Sequence, residues 1–207
     1  MHSYNLKDGD LILASASVTR QKMLADMHIA CTAIPAHIDE QAVKQAGLAD
    51  NMRPEDIAEM LADLKARQIA LTRADYVLGC DQLLVCDGQI FSKAETEAAA
   101  RQNLKELSGK THQLISAAVI YFQNNRIWHH VASASLTMKQ LSDDEIDAYC
   151  TVNSEALLNS VGCYQLERGG AHLFTSISGD FFDILGLPLL PLLGFLRNRG
   201  LEVKEQN

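Results

Sequence analysis

Asp81 sits in the middle of an apolar run, YVLGCDQLLVC at residues 76–86. A carboxylate there must be paired, protonated or metal-bound, because burying it alone is costly. Burial also raises its pKa, which makes Asp81 a candidate general base or metal ligand; the plainer reading is a satisfied structural aspartate. Gln82 follows on the opposite face of a regular strand, placed to read the edge of a ligand. Lys93 comes shortly after an Asp87-Gly88 hairpin signal, so residues 89–93 pairing back on 82–86 bring it towards Asp81. Otherwise it is an edge-strand lysine that discourages aggregation. Glu40, behind Asp39 at the end of an extended stretch, is a second candidate metal ligand or, by itself, a solvated loop acid.

A second constellation lies near the N-terminus. Residues 10–14 (DLILA) read as a short strand, Ser15-Ala16-Ser17 as a turn, and a helix starts at Val18 with Met23, Leu24 and Met27 on its apolar face. With Ser17 as N-cap, Arg20 is the third helical residue, where a cation opposes the helix dipole by about 0.3–1 kcal/mol. A bound anion reverses that sign, since backbone N–H groups, serine hydroxyls and arginine then converge on it. Ser15, Ser17 and Arg20 therefore read either as a phosphate cradle or as a plain helix cap with a solvated arginine. A cradle, two acids able to hold a divalent metal and several cations together suit hydrolysis of a phosphoanhydride. Metal and cations neutralise charge, and an acid activates water.

The elements that must position these residues alternate. A helix is predicted from Pro54, with Glu55 and Asp56 complementing its dipole and Ile57, Met60, Leu61 and Leu64 as its buried stripe. Lys65 lies about 40° beyond Leu61 and borders that stripe, where it either snorkels or reaches a site at the sheet edge. The strand at 76–86 and its hairpin come next, then a helix at 95–107 and long strands at 113–122 and 127–139 around Asn124-Asn125. Ser142 to Glu145 forms a capping box. Turn-and-strand segments at 164–166 and 172–177 precede a helix after Gly186-Leu187-Pro188. Hairpins beside crossover units predict an α/β fold with a mixed sheet, in one domain over residues 1–207 with a core at about 10–196.

The 207 residues suffice for a substantial core, and 47% hydrophobic and 21% charged content is ordinary for a globular protein. A net charge of −8 conflicts with a nucleic-acid-binding surface. The opening MHSYNLKDGD lacks the apolar core of a signal peptide, and the run at 184–195 is cut by Pro188 and Pro191, so no membrane span and a cytoplasmic setting are expected. Five cysteines without C-x-x-C spacing read as reduced thiols. His129 and His130 point to opposite faces of a strand, which suits neither a metal nor a catalytic pair. Gly109-Lys110-Thr111 is no P-loop, because Leu104 stands where the first glycine is needed. The nucleophile elbow, dinucleotide fingerprint and zincin motif are absent from the sequence.

Taken together, the motifs resemble the Maf family of nucleoside triphosphate pyrophosphatases from about residue 10 to 196. LILASASVTR resembles its S-x-S-x-x-R signature, with Ser15, Ser17 and Arg20 on the phosphate-binding positions. His37-Ile38-Asp39-Glu40 resembles its D-E step, and Leu61-Ala62-Asp63-Leu64-Lys65-Ala66 its L-A-x-x-K-A helix. Gly79-Cys80-Asp81-Gln82 falls on the segment of the catalytic aspartate, Ser92-Lys93 on a G-K-P lysine, 107–112 on L-S-G-K-x-H and 186–189 on G-L-P-L. The resemblance implies a Maf/ITPase-like fold: an elongated mixed sheet flanked by helices, with two lobes around a nucleotide cleft, usually as a homodimer. It implies cleavage of a nucleoside triphosphate to the monophosphate and pyrophosphate with a divalent cation, Mg or Mn. Asp81 would accept the proton from water, Arg20, Lys65 and Lys93 would hold phosphates, and Glu40 would join Asp81 at the metal.

Base choice is implied at three positions. Gln82 and Glu167 look like the branch acting on 7-methyl-GTP, whose cationic base and N–H donors suit a carboxylate partner. Thr19 replaces an arginine or bulky residue and leaves less to stack on or pair with a base; Val18, Ser92 and Ala94 also depart from the family pattern. The alternative is a catalytically slow nucleotide-binding regulator of cell division or stress. A sensor needs only the cradle, whereas Asp81 with Lys65 and Lys93 favours the enzyme.

Overall fold

The computed structural model describes residues 2–205. The chain begins with β1 (His2–Asn5), β2 (Leu11–Leu13), α1 (Val18–Asp26), β3 (Thr32–Ala33), α2 (Glu40–Ala49) and α3 (Pro54–Ala70). Next come β4 (Tyr76–Cys86), β5 (Gln89–Phe91), α4 (Glu97–Leu107), β6 (Thr111–Phe122) and β7 (Asn125–Met138). The remainder is α5 (Asp143–Val152), α6 (Ser154–Asn159), a 3-10 turn (Gly169–Leu173), β8 (Phe174–Ser178), α7 (Phe181–Ile184), α8 (Leu189–Asn198) and β9 (Glu202–Glu205). The contacts gather into two units. One holds the chain up to Asp81, Ser116–Ala132 and everything from Gly186; the other holds Gln82–Ile115 and Ser133–Leu185. The strands β4, β6 and β7 each pass from one unit to the other part-way along.

In the first unit the strand order is β3-β2-β4-β6-β7, and β2 runs parallel to both β3 and β4, with Ile12 level with Thr32 and Val77. An antiparallel ladder pairs β1 with β9, His2 opposite Glu205, an element that no local sequence pattern predicts. In the second unit β5 pairs antiparallel with β4, Leu84 facing Phe91, and β8 pairs antiparallel with β7. Parallel and antiparallel pairs make the mixed sheet that was expected, flanked by helices. Its hairpin turn has positive φ at Asp87 and Gly88, 50° and 77°, the geometry that a two-residue Asp-Gly turn supplies.

Three local expectations need correction. First, α3 buries Ile57, Ala58, Leu61, Ala62, Lys65 and Ala66, while Met60 is 39% exposed. The helix is turned towards its alanines because it lies close against β4. A methyl group on Gly79 would overlap the Ala62 carbonyl and come within 2.7 Å of the Ala66 amide nitrogen. Small residues on both sides allow that approach, and Lys65 consequently sits inside the buried face instead of bordering it. Second, residues 40–49 form α2, capped by Asp39, whose carboxylate accepts from the Ala42 amide at 3.0 Å; Glu40 is thus a helical residue and no loop acid. Third, residues 164–166 form no strand: the chain is irregular at Tyr164 and Gln165 and enters a turn at Leu166.

The second unit is cored by Leu84, Leu104, Leu107, Leu136, Ile146 and Tyr164 among others. All five cysteines are free thiols, four of them buried. Among the described residues, no helix is long and apolar enough to cross a membrane.

Candidate functional site

The close packing of α3 on β4 brings Lys65 to Asp81. Lys65 Nζ donates to Asp81 Oδ1 at 2.6 Å and lies 2.6 Å from Glu40 Oε1 at the start of α2. Lys65 and Asp81 are buried, whereas the Glu40 side chain is 44% exposed. Asp81 Oδ2 is buried and, among the described residues, has no hydrogen-bond partner. Burial pushes the Asp81 carboxyl above the usual carboxylate range; the Lys65 charge pulls it back, Glu40 pushes it further up, and Arg20 opposes the rise. An aspartate so placed can take a proton near neutral pH more readily than a solvated one.

Arg20 is held beside this group and is not solvated. Ser17 caps α1, its hydroxyl accepting from the Arg20 amide at 3.4 Å, as the spacing predicted. The guanidinium is buried: Nε donates to the Gly186 carbonyl at 2.7 Å, and Nη1 donates to the Cys80 carbonyl at 3.0 Å and to Ser15 Oγ at 3.3 Å. Gly186 turns the chain with φ of 94°, which presents that carbonyl before Pro188 starts the last helix. Ser15 Oγ also accepts from the Ser17 amide at 3.2 Å. The Ser-x-Ser turn and the helix start thus converge on an arginine whose Nη2 makes no hydrogen bond among the described residues. Thr19 is half-buried on the first turn of α1.

The remaining predicted residues belong to the second unit. Gln82 spends its amide group on α7, Nε2 donating to the Asp183 and Ile184 carbonyls at 3.0 Å each. Lys93 is exposed beyond the end of β5, whose ladder closes at Phe91 opposite Leu84. Glu167 is exposed in the turn after Tyr164. Of the sequence-predicted residues, the first unit therefore gathers Glu40, Lys65 and Asp81 in one cluster, and Ser15, Ser17 and Arg20 in the turn alongside.

Two carboxylates are few for a resident cation, and among the described residues no group of three or more His, Cys, Asp or Glu is arranged to hold a metal. A hard cation such as Mg is commonly held by one or two carboxylates together with substrate phosphates. The unpartnered Asp81 Oδ2, beside Glu40, fits that kind of site. Lys44, one turn beyond Glu40 on the inner α2 face, is a mostly buried side chain that no sequence motif marks. Recognising α2 from its Asp39 cap would have placed it there.

Residues 10–199 match the family described as Maf-like protein. The chain is 47% identical over 188 residues to the nucleoside triphosphate pyrophosphatase of Granulibacter bethesdensis, covering 90% of this chain and 95% of that protein. It is 46% identical over 193 residues to the nucleoside triphosphate pyrophosphatase of Nitrobacter hamburgensis (92% and 94% covered). Against that of Paramagnetospirillum magneticum the identity is 45% over 190 residues (91% and 98% covered). With the cluster on α2, α3 and β4 and the Ser-x-Ser turn both lying inside the matched region, the chain belongs to the Maf-like protein family.

Proposed function

We propose that this protein hydrolyses a nucleoside triphosphate to the nucleoside monophosphate and pyrophosphate, with Asp81 as the proton acceptor for the attacking water. The observation that carries the reading is the state of Asp81: one oxygen on Lys65, the other buried without a partner among the described residues. Curated relatives of the same family that carry the name nucleoside triphosphate pyrophosphatase support it. Arg20, Lys65 and Lys93 bind phosphate oxygens and offset the charge that develops in phosphoryl transfer. Asp81 and Glu40 hold a divalent cation, Mg or Mn, together with those oxygens, and the cation supplies further charge neutralisation. Gln82 and Glu167, with the small Thr19, favour 7-methyl-GTP or another modified nucleotide. The protein acts in the cytoplasm as a homodimer.

The test is a pyrophosphate-release assay against a nucleotide panel with Mg or Mn, on wild type and Asp81→Asn. The substitution is expected to lower turnover by at least about 100-fold, as for loss of an essential base. Equal turnover by the two proteins overturns the role of Asp81. Faster turnover of UTP or dTTP than of 7-methyl-GTP overturns the base preference.

A further inference from the structure

The segment that leads into α2 runs along α3 in the opposite direction, and two rungs join them: residue 37 meets residue 68, and residue 40 meets residue 65. At the first rung the Gln68 side chain clasps the backbone of His37. Its Oε1 accepts from the His37 amide at 2.7 Å, and its Nε2 donates to the His37 carbonyl at 3.1 Å. A side-chain amide used in this way offers one acceptor and one donor side by side, as the backbone of a neighbouring strand would. At the second rung Lys65 Nζ meets Glu40 Oε1 at 2.6 Å. Lys65 and Gln68 are three residues apart on α3, which puts them on one face of the helix.

Upstream of the clasp, the Ile34 amide donates to the Leu13 carbonyl at 2.9 Å, so the chain leaves the sheet there and is caught again three residues later. Downstream, the Glu40 amide donates to the Ile38 carbonyl at 2.9 Å, and Asp39 caps α2 through the Ala42 amide. Those last two bonds are internal to residues 38–42, whereas the clasp ties the segment to another element. The Glu40 side chain is 44% exposed, and an ion pair with so wet a partner holds a segment weakly. Two directional bonds to the backbone of residue 37 restrict the start of α2 more closely than that ion pair can.

We propose that Gln68 is a positioning residue of the site, holding the start of α2 so that the Glu40 carboxylate meets Lys65 beside Asp81. It touches no reacting atom and acts through Glu40. The inference rests on the nucleoside triphosphate reading for the reaction, but the placement of α2 is read without turnover.

The experiment uses the full chain and Gln68→Met, which keeps the stem and the helix propensity and removes both bonds. Backbone hydrogen exchange reports the start of α2. The Ala42 and Val43 amides, both bonded to Asp39, should exchange at least about 10-fold faster in the variant, while Asp50 and Met52 at the other end stay within about twofold. In pyrophosphate release, kcat should fall about 10-fold with KM within about twofold, because the reacting geometry is disturbed and Arg20 is left in place. The same substitution made in Glu40→Gln should cost less than about twofold, since the group through which Gln68 acts is already gone. Equal losses of kcat in the two backgrounds overturn the proposal, and so does unchanged exchange at Ala42 and Val43. A fall in Tm with kcat unchanged assigns the clasp to stability alone and overturns it as well. Gln68-dependent exchange at Ala42 in a protein that releases pyrophosphate from no nucleotide sustains the placement of Glu40 and overturns the proposed function instead.

Discussion

Lys65 Nζ stands 2.6 Å from Asp81 Oδ1 and 2.6 Å from Glu40 Oε1, a single ammonium joining a strand to a helix start. Removing it strands a buried carboxylate beside a second acid. Lys65→Met is expected to destabilise the fold by about 3–5 kcal/mol at neutral pH, the cost of breaking a buried pair from one side. The loss is pH-dependent. Without Lys65 the Asp81 carboxyl, already raised by burial, rises further above its unfolded value. The folded state then binds the proton more tightly than the unfolded one, so the variant regains stability as pH falls and loses it as pH rises. Denaturant titrations of wild type and variant across that range check this, and a deficit independent of pH contradicts it. Lys65→Met with Asp81→Leu should restore stability without restoring turnover.

Much of this arrangement was legible in the residues, for reasons that differ from place to place. The β4 hairpin followed from an apolar run ending in Asp87-Gly88, and the α1 start from Ser17, because turn and cap chemistry is local. The face of α3 was not, because alanine carries little hydrophobic contrast: the approach to Gly79 is decided by small volume, which periodicity does not register. The α2 helix was hidden by polarity, its inner face offering Glu40, Lys44 and Gly47 where a stripe of leucines would have been noticed. Asp39 looks in sequence like half of an acidic pair, but its carboxylate is the N-cap of α2. The partners of Arg20 are carbonyls of Cys80 and Gly186, 60 and 166 residues away, and no local pattern encodes them.

Gly79 is where packing and chemistry meet most tightly. Its substitution by alanine sets a methyl group against the Ala62 carbonyl and within 2.8 Å of the Ala66 Cβ, both on the helix that carries Lys65. Backbone cannot rotate aside as a side chain can, so α3 must move away from β4. Gly79→Ala is expected to cost about 1–3 kcal/mol or more, as overpacking does, and to lower kcat because Lys65 moves relative to Asp81. Urea unfolding with steady-state kinetics tests both parts; wild-type stability and kcat together reject the packing argument.

Arg20 contributes through geometry as well as charge. Three bonds, to Gly186, Cys80 and Ser15, fix its guanidinium, and lysine cannot reproduce that fork. Arg20→Lys leaves buried carbonyls unsatisfied and is expected to destabilise by about 1–3 kcal/mol per lost partner at most. If the arginine also holds phosphate, KM for the nucleotide rises more than kcat falls, because binding contacts common to ground and transition states are lost. A fall in kcat at unchanged KM argues for a contact made only in the transition state.

His112 provides a pH signature confined to the second unit. Its Nε2 lies 2.7 Å from Tyr164 Oη, its ring packs near Phe174, and its Nδ1 is buried without a partner among the described residues. Burial lowers its pKa from 6.5 to about 4. The unfolded chain therefore takes up the proton first as pH falls, so the stability due to neutral His112 is complete above about 6.5 and is lost towards about 4. That difference amounts to about 3 kcal/mol by linkage. His112→Gln retains a polar side chain for Tyr164 and does not titrate. Its stability profile between those pH values should be flatter than that of wild type by this amount. Parallel profiles in the two proteins would show that the imidazole is protonated as readily in the folded state as in the unfolded chain.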